Sequence, residues 1–507
     1  MAQDDPGTAD SEESSHKQIL RSSSIIGGAS VINIAVGLAK TKIVAILLGP
    51  AGVGLVVLLQ NLLQTVSSIA GLSIGAAGTR EVAEANSSGD PARMAIARRA
   101  LAIGSLSLAA IGAAAFWILS DVLGALVSTD PAATDQIDWL AVGVLLTIAA
   151  QAQMALLTGF RRVGDLARSS ILSVVVSAAI GIAAVFAWGR AGIVIFVVAP
   201  TVATFLISHL YVARLPKAPA APAPAKAVAV KLQGMIRFGV ALTVAAAAVN
   251  AGQLAARTFI QSELGESAVG YFQASWLISI TYIGFILQAM GTDLYPRITE
   301  KIGDKAMVNR LINEQTEVAL LLAAPVLLIS IAGAPWIIHL LYSSAFQPAV
   351  PVLQWQVMGD VLKVASWPLG YLLLAAGAAR VYMIGEITAI AVLLAVLVVG
   401  LPVGGLEASG MAVLAMYLFY LPYVFVIARR RTGFGWTRVN IALIAGLFAA
   451  CGATISVSRL SPVAGAAFGA TLGLAAGILC LKRLSNSLPG PIQSVFARLR
   501  RAKPSGS

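Results

Sequence analysis

The sequence predicts an all-α membrane protein of about 14 transmembrane helices, built as two pseudo-symmetric six-helix lobes plus two extra C-terminal helices. Hydrophobic residues make up 58% of the 507 residues and charged residues only 11%, whereas a soluble domain carries about 25% charged residues. Apolar runs of about 20 residues, the length that crosses a bilayer as a helix, recur from residue 20 to residue 481. An internal repeat relates the two halves of the chain. These observations exclude a soluble protein and a protein with a single anchor.

The apolar runs place the helices in order along the chain. The first six predicted helices cover residues 20–47, 54–77, 97–119, 139–160, 169–188 and 191–213. The other eight cover residues 236–261, 268–291, 315–342, 350–376, 382–401, 405–428, 438–457 and 462–481. Proline and alanine alternate after the sixth helix, in RLPKAPAAPAPAK, and this composition favours an extended linker.

These helices define the predicted domains. Residues 17–213 form an N-lobe, 214–235 a cytoplasmic linker, 236–430 a C-lobe and 431–484 the last helix pair. Residues 1–16 are polar and acidic and lack the basic start and cleavage site of a signal peptide, so we expect a disordered cytoplasmic tail. Residues 485–507 form a basic cytoplasmic tail.

The basic residues predict the orientation of the chain, because lysine and arginine collect in cytoplasmic loops. With the N-terminus inside, the outer loops hold only Arg190 and Arg459 of the 35 basic residues. Four more lie within helices, and all the rest fall in cytoplasmic segments. The sequence therefore predicts an even number of helices, with both termini in the cytoplasm.

The internal repeat has a nearly constant spacing. LGPAGVGLVVLLQ from Leu48 resembles LGESAVGYFQASW from Leu264, at an offset of 216. Just upstream, Asn33, Ala39, Lys40 and Thr41 match Asn250, Ala256, Arg257 and Thr258 at an offset of 217, and further on Gly159 and Arg162 match Gly377 and Arg380 at an offset of 218. Six helices separate matching positions, so the two halves run in the same direction. Many transporters follow this parallel-repeat plan, with the substrate between the halves.

Charged side chains inside the predicted helices are the first candidate binding residues. A charge at the centre of a membrane helix costs about 2.5–3.5 kcal/mol, so such residues usually face protein or a watery cavity. Two cations suit a pyrophosphate, because lysine supplies a point charge and arginine a bidentate grip. The alternative is that these cations lie near helix ends and reach the interface. The predicted substrate-binding residues on the first and seventh helices are Asn33, Lys40, Lys42, Asn250, Gln253 and Arg257.

The tenth helix carries a second polar face. Gln356, Asp360 and Lys363 are spaced by four and three residues, which places them on one side of a helix. Asp360 and Lys363 are predicted either to line the cavity, where they relay a proton, or to neutralise each other in a local salt bridge. The predicted gating or coupling residues are Asp293, Arg297 and Glu386.

Several other function classes find no support. The net charge of +12 comes from loop residues between apolar segments, so we expect membrane lipids as partners rather than nucleic acid. Cys451 and Cys480 lie inside apolar segments and predict neither a disulfide nor a metal site. No P-loop, zinc spacing or dinucleotide fingerprint occurs, so we expect no cofactor.

Three segments resemble a known family. They are AKTKIVAILLGPAGVGLVVLLQNLLQ in the first two helices, LLTGFRRVGDLARSSIL at 156–172, and LYSSAFQPAVPVLQWQVMGDVLKVASWPLGYLLLAA at 341–376. Residues 17–430 are similar to the Wzx-type O-antigen and enterobacterial-common-antigen flippases of the multidrug/oligosaccharidyl-lipid/polysaccharide exporter superfamily. The stretch QWQVMGDVLKVASWPLG is the most specific part of this resemblance.

The resemblance implies two six-helix lobes around a cationic cavity in the bacterial inner membrane. It implies alternating-access transport of an undecaprenyl-pyrophosphate-linked oligosaccharide to the periplasmic leaflet, for lipopolysaccharide O-antigen, common-antigen or exopolysaccharide synthesis. Lys40, Arg257, Asp360 and Lys363 match the kind of cavity charge that such proteins use. Coupling to an H⁺ or Na⁺ gradient is compatible with this mechanism, and a polysaccharide polymerase and a chain-length regulator are candidate partners.

Several alternatives stay open on the sequence. A multidrug or cation antiporter of the same superfamily would favour an acidic, aromatic cavity, whereas cations predominate inside these helices. A lipid II flippase is a second alternative, because the helix pair after residue 435 could extend a lipid-facing groove. A polysaccharide polymerase or ligase would have large outer loops, which this sequence lacks, and a non-transporting scaffold would use its buried charges only for pairing.

Overall fold

The computed structural model describes residues 6–127, 137–216 and 223–485, and in these ranges it contains sixteen α-helices and no β-strand. The chain is an all-α membrane protein. It divides into two compact units, Met1–Gln261 and Ser262–Ser507. Eleven described ranges are long and apolar enough to cross a membrane, judged by length and composition.

The first unit contains eight helices or parts of helices. They are α1 (Pro6–Ala70), α2 (Ile74–Ser88), α3 (Pro91–Ile118), α4 (Ser120–Val127), α5 (Leu140–Gly159), α6 (Val163–Trp188), α7 (Ile193–Val212) and α8 (Ala225–Leu264). Helix α5 lies at the centre of the unit and packs against α1, α2, α3 and α7. Helix α6 packs against α1 and α7.

The second unit contains the remaining eight helices. They are α9 (Glu266–Glu300), α10 (Lys305–Ala332), α11 (Ala334–Leu341), α12 (Ala349–Ala375), α13 (Ala379–Gly404), α14 (Glu407–Thr432), α15 (Arg438–Leu460) and α16 (Pro462–Ser485). Helix α12 is buried along most of its length and packs against α9, α10, α14 and α15. Gly410 brings α14 close to α12, since a Cβ at Gly410 would lie 2.6 Å from the Val352 carbonyl oxygen.

The last helix pair is fastened to α10 by asparagines. The Asn440 amide donates hydrogen bonds to the carbonyl and side-chain oxygens of Asn313, both at 2.9 Å. Asn313 in turn donates to the Gly435 carbonyl and accepts from the Thr437 backbone N–H, each at 3.0 Å. Near the other end of α15, Arg459 pairs with Glu407, whose carboxylate also accepts from the Trp355 indole at 2.6 Å.

The internal repeat is visible in the backbone of each unit. Gly49 (φ 63°, ψ −170°) breaks α1 before Pro50, and Gly265 (φ 83°, ψ 174°) separates α8 from α9. Gly189 (φ 55°) and Gly405 (φ 56°) make the corresponding breaks before α7 and α14. Glycine tolerates these positive φ values because it has no Cβ. The same special backbone positions recur in both units, as the sequence repeat predicted.

One part of the predicted repeat alignment is wrong. The turns after α5 and α12 have their positive φ at Arg161 (55°) and Gly377 (68°), which are 216 residues apart. Their hydrogen bonds match at the same offset of 216 residues. The N–H of Arg162 donates to the carbonyl oxygen of Leu157, and the N–H of Ala378 donates to the carbonyl oxygen of Leu373. The sequence had matched Gly377 with Gly159 at an offset of 218. The turn geometry sets the register, and at Arg161 a non-glycine residue adopts the left-handed conformation.

The described helices account for all fourteen predicted spans. The range Gly27–Ala70 holds the first two, separated by the break at Gly49. The range Val163–Val212 holds the fifth and sixth, separated by the 3₁₀ turn Gly189–Gly192. The predicted eighth helix lies within α9, which is not among the eleven ranges. The predicted third helix starts too late, because Asp90 caps α3 at Pro91.

Several predicted boundaries differ from the structure. Helix α1 begins at Pro6, so residues 6–16, predicted to be disordered, are helical. Helix α8 begins at Ala225 inside the predicted linker, because the prolines stop at Pro224 and helix-forming residues follow. Residues 1–5 and most of the predicted C-terminal tail, residues 486–507, lie outside the described residues. The predicted second helix is interrupted at residues 71–73, and α2 then starts at Ile74.

The division between the units also differs from the predicted lobes. Residues 225–261 of α8, which include the whole predicted seventh helix, group with the first unit. Lys231 pairs with Glu81 on α2 at 2.6 Å, and the Ser73 and Thr243 hydroxyls lie 2.9 Å apart. Gly239 passes so close to Leu72 that a Cβ would lie 2.0 Å from its carbonyl oxygen. These contacts hold this part of α8 against the first unit.

Candidate substrate-binding cavities

The first unit contains an open cavity of about 700 Å³ between α1, α2, α5 and α7. Its polar lining consists of amides and hydroxyls, from Gln60, Gln64, Ser73, Thr79, Thr147, Gln151, Thr158, Thr201 and Thr204. Its apolar lining includes Leu63, Met154, Val197 and Pro200. None of the described lining residues is charged.

The three glutamines of this cavity are available to a ligand. In the part of the chain that the structure describes, the amides of Gln60, Gln64 and Gln151 form no hydrogen bond with protein. The Thr147 hydroxyl is also buried without a protein partner. Gln64 is exposed and Gln60 and Gln151 are half-buried, so their amides are open to water or a polar ligand. The buried Thr147 hydroxyl is suited to the same role, because buried polar groups are nearly always hydrogen-bonded.

The polar and small residues in the second half of α1 have two roles. Gln60 and Gln64 line the cavity. Ser67 is fully buried, and at Gly71 a Cβ would lie 3.3 Å from Ile148 on α5. Gly71 therefore lies at a packing contact between α1 and α5, whereas Gln60 and Gln64 face the cavity.

The predicted residues on the first helix turn toward α6 and α7. The Asn33 amide donates to the Ser170 hydroxyl at 2.8 Å. The Lys40 ammonium is half-buried and lies 4.0 Å from the centre of the Phe196 ring, a cation–π contact. Lys42 is also half-buried. None of the three lines the cavity of the first unit.

The predicted polar stripe on the seventh helix is present on α8. Arg257 is 3% exposed, and its guanidinium donates to the carbonyl oxygen of Gln253 at 3.0 Å. Asn250 and Gln253 are half-buried, and Gln261 donates to the carbonyl oxygen of Val127. Burial of an arginine in an apolar helix is costly, which supports Arg257 as a functional candidate. No described contact joins it to a substrate-sized cavity.

Asp360 forms a buried cluster with α9. It is 1% exposed, and its Oδ2 accepts hydrogen bonds from the Ser279 hydroxyl at 2.6 Å and the Tyr282 hydroxyl at 2.9 Å. Among the described residues no ion pair within 4.0 Å joins Asp360 to Lys363, although the two charges attract each other at longer range. Lys363 lies about one turn further along α12, and its side chain lines a cavity.

The cavity of the second unit has a volume of about 250 Å³ and combines charge with aromatic rings. Lys363 and Glu386 contribute its charged groups, and Trp367, Tyr371, Tyr382, Tyr417 and Tyr420 contribute its rings. The Lys363 ammonium lies 5.8 Å from the centre of the Tyr417 ring and within electrostatic range of the Glu386 carboxylate. Lys363 and Glu386, predicted for binding and for coupling, therefore meet in one cavity.

The other predicted residues are less informative. Arg297 is exposed near the end of α9, and the side chain of Asp293 lies outside the part that the structure describes. Gln356 is fully buried on α12, and neither atom of its amide has a partner among the described residues. Cys451 and Cys480 are free thiols buried in the last helix pair. No group of side chains suited to a metal ion occurs in the described ranges.

Sequence reasoning missed most of the residues that line the two cavities. Gln151, Thr201 and Thr204 lie on helices for which no polar face was predicted. The aromatic lining of the second cavity had a usable signal, since Lys363, Trp367 and Tyr371 are spaced by four residues and share a helix face. Tyr382 and Glu386 have the same spacing. Ser279 and Tyr282 gave no signal, because single hydroxyls are common in membrane helices.

Comparison with known proteins extends these observations. The profile of the family described as "Polysaccharide biosynthesis protein" matches residues 19–301. The lipid III flippase of Escherichia coli (strain K12) is 24% identical over 422 residues, which cover 80% of this chain and 97% of that protein.

Two solved structures share the fold. The lipid II flippase MurJ, in an inward closed conformation, superposes with a TM-score of 0.69 at 12% identity, covering 90% of this chain and 99% of that one. A multidrug resistance MATE family transporter of the MOP superfamily, in an inward-facing conformation, gives a TM-score of 0.64 at 14% identity, covering 79% of this chain and 94% of that one. At such low identities these structures establish the shared architecture.

Proposed function

We propose, from the premise that this chain belongs to the polysaccharide biosynthesis protein family, that it is a flippase for a lipid-linked oligosaccharide in the bacterial inner membrane. The substrate is an undecaprenyl-pyrophosphate-linked glycan, which moves from the cytoplasmic to the periplasmic leaflet. The glycan then serves synthesis of a cell-surface polysaccharide such as O-antigen, common antigen or exopolysaccharide. The relative named lipid III flippase, aligned over 97% of its length, supports this class of substrate.

The observation that carries the proposal is a cation held inside a membrane helix beside a cavity. Lys363 lies on α12 and lines the cavity of the second unit. In the described part of the chain its ammonium has no carboxylate oxygen within 4.0 Å, although Glu386 and Asp360 lie within electrostatic range. A cation in this position is expensive unless it serves an anion. A pyrophosphate is such an anion, and Lys40 and Arg257 are further cations that could meet it along its path.

The proposed mechanism is alternating access. A parallel repeat allows two similar units to rearrange around a substrate, and both units here contain the same glycine breaks between helices. We also propose that an H⁺ or Na⁺ gradient drives the cycle, with Asp360 as the group that binds the coupling ion. The burial of the Asp360 carboxylate beside two hydroxyl donors supports this assignment.

The test is lipid exchange in proteoliposomes. The purified protein is reconstituted with a fluorescent undecaprenyl-pyrophosphate glycan, and exchange between leaflets is followed with a membrane-impermeant quencher. Lys363→Gln removes the charge and keeps the length of the side chain. We expect about a tenfold slower exchange, the effect of losing about 1.4 kcal/mol of charge-assisted binding. Lys363→Arg should restore most of the rate, because it restores the charge.

The matched control is Arg310→Gln, which removes an exposed cation of the second unit, paired with Glu314 at 2.7 Å. This variant should exchange lipid at the wild-type rate. If wild-type protein moves no lipid-linked glycan under any imposed ion gradient, the flippase proposal fails and the antiporter alternative takes its place. If wild type is active and Lys363→Gln is equally active, the pyrophosphate is bound elsewhere.

A further inference from the structure

We propose that the cavity of the first unit is a binding site for the glycan of the substrate, and that it selects uncharged sugars. This inference rests on the proposed flippase function and adds a second subsite to it. The amide- and hydroxyl-lined cavity would hold the sugar rings.

The chemistry of the lining matches an uncharged polyol. Gln60, Gln64 and Gln151 each offer two N–H donors and one carbonyl acceptor. In the described ranges no protein group uses these amides, so their hydrogen bonds are available to a ligand. Sugar hydroxyls both donate and accept, and therefore complement amides and threonine hydroxyls without any net charge. The apolar side chains of Leu63, Met154 and Val197 can cover the C–H faces of the rings.

The absence of charge among the described lining residues gives the selectivity. A sugar carboxylate or ammonium in this cavity would lose its water without meeting an opposite charge, and that desolvation is costly. An uncharged sugar meets no such penalty. The cavity of the second unit differs, because Lys363 and Glu386 line it. The first cavity is therefore the better site for a neutral glycan.

The size and place of the cavity fit a glycan of more than one ring. Its volume of about 700 Å³ lies within the range of about 300–1,000 Å³ typical of small-molecule sites. Ser73, Thr79 and Thr158 line it near the ends of helices that the basic loops predict to be cytoplasmic. The proposed substrate would enter from that side.

The variants for the test are chosen on α1 and α5. Gln64→Ala combined with Gln151→Ala removes two amides from the cavity. Gln153→Ala is the matched control, because Gln153 lies on the same helix as Gln151 but outside the cavity, where it accepts a hydrogen bond from Ser208. Gln151→Glu places a carboxylate among the amides. Thermal unfolding in detergent verifies that each variant is folded.

Two fluorescent lipids serve as probes in the proteoliposome assay. One is undecaprenyl pyrophosphate without sugar, and the other carries neutral chitotriose. We expect the double variant to move the chitotriose lipid about tenfold more slowly than wild type and to move the bare lipid within about twofold of wild type. The control should move both lipids normally. Gln151→Glu should slow the chitotriose lipid without slowing the bare lipid.

The outcomes separate this inference from the proposed function. The glycan site is refuted, while the flippase function stands, if the double variant moves the chitotriose lipid as fast as wild type. The same holds if the double variant slows the exchange of both lipids by the same factor. If wild type moves only the bare lipid, the cavity does not accept a neutral glycan and the inference is likewise refuted. If wild type moves neither lipid, the proposed function fails, and the glycan site fails with it.

Discussion

Asp360 is the only acidic side chain that is buried among the described residues. A carboxylate in an apolar helix is destabilising unless hydrogen bonds or a cation compensate for its lost hydration. Ser279 and Tyr282 supply two hydrogen bonds to one oxygen, and Lys363 contributes electrostatic attraction at longer range. This incomplete compensation of the charge is why we propose Asp360 as the coupling residue.

Asp360→Asn tests this role of the carboxylate. The asparagine keeps the shape of the side chain and one oxygen to accept from Ser279 and Tyr282, so we expect a folded protein. Exchange of the lipid-linked glycan should no longer accelerate when an ion gradient is imposed, because a neutral amide neither binds Na⁺ well nor takes up a proton. The measurement is the rate in proteoliposomes with a pH gradient, an Na⁺ gradient or neither.

The comparison variant for this experiment is Ser279→Ala, which removes a hydrogen bond and leaves the charge. It should keep its response to the gradient. An Asp360→Asn variant that still responds like wild type would remove Asp360 from the coupling mechanism. A wild-type protein without any gradient response would remove coupling itself.

At the scale of single elements, Asn440 fastens the last helix pair to the rest of the second unit. It is fully buried at the start of α15, and its amide donates to two oxygens of Asn313 on α10. Asn440→Ala leaves those oxygens without this donor. We expect a loss of about 1–3 kcal/mol in the free energy of unfolding, observed as a lower thermal unfolding midpoint in detergent.

Ser456→Ala, on the same helix, is the matched control for Asn440→Ala. The Ser456 hydroxyl is exposed and bonds only to the Gly452 carbonyl within α15, at 2.9 Å. Its removal should change the free energy of unfolding by less than about 0.5 kcal/mol. Equal midpoints for the two variants would mean that the asparagine contacts do not anchor α15.

Helix existence and helix boundaries differ in how well the sequence predicts them. All fourteen spans were predictable, because a run of about 20 apolar residues has few other stable conformations in a membrane protein. Helix ends depend on local groups, such as Asp90, which accepts from the Ala92 N–H at 2.8 Å and starts α3. Helix α8 starts earlier than predicted because the prolines of the linker end at Pro224, and a hydropathy pattern does not detect where prolines end.

At the scale of the whole molecule, the sequence identifies intramembrane charges but not what surrounds them. Lys363 and Glu386 were both predicted as functional residues, and they line one cavity. Lys40 contacts the Phe196 ring on another helix, and its position at a central cavity stays a prediction. Spacing fixes the face of a helix on which a side chain lies, whereas its neighbours depend on tertiary packing. For the same reason the neutral cavity of the first unit, built from four helices, had only a partial signal at Gln60 and Gln64.

The orientation of the chain in the membrane is a prediction of the basic loops, and cysteine labelling tests it. Ser88→Cys lies at the exposed end of α2, predicted to be cytoplasmic, and Ala191→Cys in the exposed turn before α7, predicted to be periplasmic. The background carries Cys451→Ala and Cys480→Ala, so that no buried native thiol reacts. A membrane-impermeant maleimide should label Ala191→Cys in spheroplasts and Ser88→Cys only after permeabilisation.

The opposite labelling pattern would reverse the orientation of every loop. It would also contradict the distribution of the basic residues, because nearly all loop lysines and arginines lie on the predicted cytoplasmic side. The proposed glycan site depends on this result, because we propose that the glycan enters from the side of Thr79 and Thr158, which line its cavity. In the reversed orientation that cavity would receive the glycan from the periplasm, and the direction of transport proposed for this flippase would have to be reversed as well.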